Sequence, residues 1–141
     1  MKILVIDASV ALSFCLEDER NKTATTLLES LEEYKIIVPH HWWIEVTNGL
    51  LMAQRRGRIK ADDCDMALGL LAGIDPEVLS IPPADFAQKI TPLANRHKLP
   101  AYDSGYLYLA IREMAHIATF DKALRQAAIN DGVSIYKEKY D

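Results

Sequence analysis

The chain has 141 residues, half of them hydrophobic and about a quarter charged, ordinary values for a soluble globular protein with a sizeable core. No apolar run approaches the roughly 20 residues of a membrane span, and the opening apolar stretch is too short for a signal peptide, so a cytoplasmic location is expected. The formal net charge of −4 argues weakly against a nucleic-acid binder, although four carboxylates gathered at a metal site would leave the remainder neutral.

Lys2 to Ile6 (KILVI) reads as a short buried strand. Ala8 to Leu16 is small and apolar, a helix. Asn21 to Glu33 is a stronger one, since Ala24, Leu27, Leu28 and Leu31 fall on one helical face. Lys35 to Pro39 (KIIVP) is a second strand, stopped by proline. His41 to Arg56 is a long helix closed by Gly57. Asp62 or Asp63 caps the next helix, in which Met66 to Ile74 has no polar face at all. Glu77 to Ile81 is a third strand. Ala84 to Lys98 is helical, with Pro92 forcing a kink or break. Asp103 to Met114 is a helix, His116 to Thr119 a fourth strand, Lys122 to Ile129 a short helix, and Val133 to Tyr136 a last strand.

This alternation predicts one α/β domain over residues 1–141, with a mostly parallel sheet of four to five strands covered by helices on both faces. Sites in such sheets form at the carboxyl ends of the strands, where the strand order reverses. Cys15 and Cys64 lack metal-type spacing and read as core thiols.

Asp7 follows the first strand directly, Asp121 follows the fourth, and Asp103 opens a helix. Each is well placed as an N-cap, worth about 1 kcal/mol. Glu45 is different. It sits among Trp42, Trp43, Ile44 and Val46, so it lies on one wet stripe of the helix or is held there for chemistry. Asn48, three residues on, shares its face.

The segments VIDASV, WIEVTNGL, LPAYDSGYLYLA and ATFDKAL resemble, in order and approximate spacing, the motifs of PIN-domain ribonucleases. The chain is most similar to the VapC toxins of prokaryotic toxin–antitoxin pairs. The resemblance runs end to end and implies a PIN-like three-layer α/β/α fold. It implies an acidic site of Asp7, Glu45, Asp103 and Asp121, with Ser9, Asn48 and Thr119 orienting carboxylates or water. Gly105, two after Asp103, departs from the usual pattern and is costly inside a helix.

Phosphodiester hydrolysis needs an activated water and a stabilised leaving oxygen, and hard cations such as Mg²⁺ or Mn²⁺, held by carboxylates, supply both. The expected function is therefore a metal-dependent endoribonuclease acting on RNA. A VapC-like chain is expected to be a homodimer, joined through the apolar helix of Met66 to Ile74, and to be restrained by a protein antitoxin whose arginine or lysine enters the acidic pocket. Arg55, Arg56, Arg58 and Lys60 form an acid-free basic run suited to binding the phosphate backbone, or to a solvated helix end. Two other functions compete. A HAD-like phosphatase wants a second aspartate where this chain has Ser9, and a non-catalytic PIN-like binding module has no need of the full acid set. The four histidines are expected to be structural or on the surface, and Trp42 and Trp43 to pack in a core or interface.

Overall fold

The computed structural model describes residues 1–137. Strand β1 (Lys2–Ile6) is central, and Leu4, Val5 and Ile6 have no solvent exposure, as a strand covered on both faces requires. β2 (Tyr34–Pro39) and β4 (His116–Ala118) flank it, and β3 (Glu77–Leu79) lies outside β2. All pairings are parallel, in the order β3-β2-β1-β4. The chain steps outward from β1 to β2 to β3, then returns to the other side of β1, so the order reverses between β1 and β4.

Right-handed crossovers then dictate the layers. Helices α1 (Ala8–Cys15), α2 (Lys22–Glu29), α3 (His41–Arg55) and α4 (Ala61–Ile74) come before the reversal and pack on one another. After β3 come the single turn α5 (Pro83–Asp85), a π-helical turn (Phe86–Ile90), α6 (Thr91–His97) and α7 (Ala101–Arg112), which packs on β1, β2 and β4. Helix α8 (Lys122–Asn130) lies against α7. The result is the expected α/β/α arrangement.

Local chemistry shifts several expected boundaries. The second helix is shorter than its periodicity suggests, because the Ser30 hydroxyl donates back to the carbonyls of Thr26 and Leu27 and the chain tightens into a 3₁₀ turn. Helix α4 starts after Lys60; neither Asp62 nor Asp63 is its cap, but Asp63 accepts the Lys60 N–H at 2.8 Å from inside the first turn. Pro92, with no N–H, is absorbed by the π-helical turn before it rather than by a break. The last expected strand reduces to one parallel bridge, Ile117 to Ile135, outside β4. Gly49 lets α1 approach α3, since a Cβ there would lie 2.6 Å from a Leu12 methyl.

Candidate active site

Asp7 ends β1 and caps α1. Its Oδ1 accepts the Val10 N–H at 3.0 Å and the Ser9 hydroxyl at 2.7 Å, and its Oδ2 accepts the Thr119 hydroxyl. Thr119 is brought alongside because β1 pairs with β4 in the register Ile6 to Ala118. The hydroxyls are themselves oriented: Ser9 Oγ accepts the Phe120 N–H at 3.1 Å, and Thr119 Oγ1 accepts the Asp121 N–H at 3.0 Å. Both hydroxyl protons are thereby left to point at Asp7. Burial nevertheless pushes its carboxyl above the usual range, against those three donors and with help from nearby Asp121.

Asp121 is also a cap. Its Oδ1 accepts the Leu124 N–H at 2.8 Å at the start of α8. For these two residues the capping reading holds and is compatible with a site role, because the cap position after a strand is also the carboxyl end of the sheet.

Asp103 is not a cap, contrary to expectation. Pro100 occupies that position, having no N–H to leave unpaired and an extended backbone, so Asp103 falls inside the first turn of α7. Its carboxylate accepts no hydrogen bond among the described residues. Burial first, then the charges of Asp121, Glu45 and Asp7, push it up to about 7. The three other acids thus lie near enough for their charges to act on Asp103.

Glu45 lies on α3, which leaves the end of β2 beside β1. It is half-buried, and its Oε1 accepts the Tyr106 hydroxyl at 3.0 Å. Burial raises its carboxyl, the Tyr106 bond lowers it, and Asp7 raises it further. Asn48 is exposed, with no hydrogen bond among the described residues.

Two residues of this cluster escaped the sequence reading. His41, expected to be structural or on the surface, stands one turn before Glu45, with Nε2 3.6 Å from Glu45 Oε1 and 2.9 Å from the Tyr102 carbonyl. Its ring meets that of Tyr106 edge-on at 4.8 Å. Gly105 is what admits it, since a Cβ there would lie 2.7 Å from His41 Cε1. The unusual glycine thus has a steric cause. Helical spacing carried the signal: His41 is four residues before Glu45, and Tyr106 three after Asp103.

The donor set is all oxygen, the chemistry of a hard divalent cation such as Mg²⁺ or Mn²⁺. Among the described residues, however, no three His, Cys, Asp or Glu side chains stand close enough together to grip an ion as they are. The carboxylates fit in kind and lie near enough for their charges to interact, and their mutual repulsion opposes closer approach.

The basic run lies away from these acids in the chain. Arg58 is clamped by Asp18 and Glu19, at 2.9 and 2.7 Å to the first and 2.7 Å to the second. Arg55, Arg56 and Lys60 are exposed, with no ion pair among the described residues. Trp42 is wholly buried and packs edge-on against Trp43, so it is core. No described helix is long and apolar enough to cross a membrane.

A family model for the PIN domain matches residues 4–130. Among solved structures the fold is similar to PAE2754 from Pyrobaculum aerophilum, at 22% identity and TM-score 0.69 over 89% of this chain and 79% of that one. It is also similar to FitAcB from Neisseria gonorrhoeae, at 20% identity and TM-score 0.63 over 95% and 96%. FitAB bound to an IR36 DNA fragment gives 20% and 0.63 over 94% and 93%. Among curated proteins, none matches.

Proposed function

The chain belongs to the PIN-domain family, and we propose that it is a metal-dependent endoribonuclease of the VapC type, the whole chain working as one PIN domain. One arrangement carries the reading: both oxygens of Asp7 are held by the Ser9 and Thr119 hydroxyls at the carboxyl end of β1, and Asp103, in the first turn of α7, has no hydrogen bond among the described residues and is pushed up by burial and by the other three carboxylates. An acid so placed has little structural purpose, and perturbed carboxyls gathered at a sheet's carboxyl end mark functional sites.

Asp7, Glu45 and Asp103 would hold Mg²⁺ or Mn²⁺, with Asp121 completing the set. The bound ion supplies Lewis acidity to the phosphodiester and to a water. The chain's own residues do the rest. Ser9 and Thr119 fix both oxygens of Asp7, and Tyr106 and His41 confine the Glu45 carboxylate. Asn48, on the Glu45 face, would orient water.

Two further elements of the reading concern partners. The apolar side of α4 is exposed, with Met66 at 73% and Leu70 at 44%, which supports a homodimer joined there. A protein antitoxin would restrain the enzyme by inserting a cation among the acids.

The test is cleavage of RNA by the purified protein with Mg²⁺ or Mn²⁺ and with EDTA. Asp7→Asn, Glu45→Gln and Asp103→Asn should each lower the rate by more than the roughly 10–100-fold typical of outer residues of a metal site, and Asp121→Asn by less. Cleavage that survives EDTA refutes the metal reading.

A further inference from the structure

A cavity of about 370 Å³ opens beside the acids, bounded by the C-terminal end of β4, α1 and α2. Its size is in the range of small-ligand sites, about 300–1,000 Å³. Val10 and Leu27 contribute apolar walls, and both are buried. Phe120 stands at its side with 40% of its surface exposed. Arg125 and Lys137 line it, both exposed and neither in an ion pair among the described residues.

The cavity is joined to the acid site by shared residues. Val10 and Thr119, two of its lining residues, are two of the three donors to Asp7, one by its N–H and one by its hydroxyl. The Phe120 backbone is pinned there by its bond to Ser9. None of the four acids lines the cavity, so an occupant is separated from Asp7 by Val10 and Thr119, and the aromatic ring is presented from a fixed main chain.

From this juxtaposition we infer that the cavity is a nucleotide subsite, which takes one unpaired nucleotide of the RNA next to the scissile phosphate. The base lies on the Phe120 ring and the apolar wall, and its phosphate meets Arg125 and Lys137. An aromatic face with cations around it is how single-stranded nucleic acid is held, and a paired base cannot enter. In a chain of net charge −4, these two cations at one opening favour an anion over a basic or neutral peptide.

The inference rests on the nuclease reading for its substrate, so its test has a binding arm independent of catalysis. With EDTA present, affinity for a short single-stranded RNA is measured for the wild type, Phe120→Ala, Phe120→Trp and Arg125→Gln. The alanine variant should bind on the order of tenfold more weakly, the loss of one base stack, and tryptophan should restore binding. The glutamine variant should bind more weakly with a shallower salt dependence. In the catalytic arm, Phe120→Ala should lose activity toward RNA but show no loss relative to the wild type on the same RNA carrying an abasic residue next to the cleaved phosphate. Unchanged RNA affinity in the alanine and glutamine variants overturns the subsite, as does equal loss on both substrates. It is likewise overturned if the wild type binds no RNA and the cavity instead becomes protected only when a protein partner is added. If the wild type binds RNA as expected but cleaves nothing, the nuclease reading falls and the subsite stands.

Discussion

The two walls that carry the four acids are built differently. On the β1–β4 wall, Asp7 and Asp121 are helix caps, tied down by backbone N–H groups and, for Asp7, by the Ser9 and Thr119 hydroxyls. On the α3–α7 wall, Asp103 has no tie among the described residues, and Glu45 is held through side chains alone. The first wall forms whenever the sheet and its helices form. The second depends on two helices meeting correctly, and there burial and repulsion are not countered by any backbone donor among the described residues. The same charge type is thus tied to backbone N–H groups on one side and left to side chains alone on the other.

The sharpest way to break this comparison is to delete one acid from each wall. Asp7→Ala and Asp103→Ala should both abolish cleavage, yet their effects on folding should diverge. Losing Asp7 removes a cap worth about 1 kcal/mol and leaves a buried Thr119 hydroxyl unpaired at about 1–3 kcal/mol, offset in part by relief of a buried carboxyl. Losing Asp103 removes only repulsion, so denaturant unfolding should show a protein at least as stable as the wild type. Equal destabilisation would mean that the walls do not differ as described.

Gly105→Ala probes the second wall alone. Alanine favours a helix over glycine by about 1 kcal/mol, but its Cβ would meet His41 and push the imidazole from Glu45. Cleavage and Mn²⁺ affinity should fall by about tenfold, the effect of disturbing an outer partner of a metal site. A more stable protein with full activity would show that His41 has no positioning role.

A smaller effect should appear in pH dependence. Asp103 has an ordinary value of 3.8 and is raised to about 7 in the fold, and Asp7 and Glu45 are raised too. Between those values the native state binds the extra proton, so stability falls as pH rises through that window. The thermal midpoint of EDTA-treated protein should therefore decline between about pH 4 and pH 7, and Asp103→Asn should flatten the decline. A midpoint that rises would show that these carboxyls are not strained in the fold.

The smallest effect concerns the basic run, outside both walls. Neutralising Arg55, Arg56 and Lys60 should reduce the salt slope of RNA binding by about 0.7 for each phosphate they neutralise in the wild type. Arg58, already clamped by Asp18 and Glu19, should add nothing to that change. A further drop in slope from Arg58→Gln would show that RNA breaks the clamp.

Much of this molecule was legible in the residues themselves. Apolar runs alternating with amphipathic helices determined a parallel sheet with two covered faces, because only crossover helices can join parallel neighbours. The same runs placed Asp7 and Asp121 just after strands, where a cap position and a sheet end coincide. The all-oxygen character of the acid set was legible too. Tertiary structure decided what linear spacing cannot express. His41 joined the site because Gly105, distant in sequence, leaves room for its ring, and the cavity beside Asp7 exists because β4 brings Thr119 and Phe120 against α1. Each of these rests on atoms that are far apart along the chain and meet only when the layers pack, so no local pattern carries them.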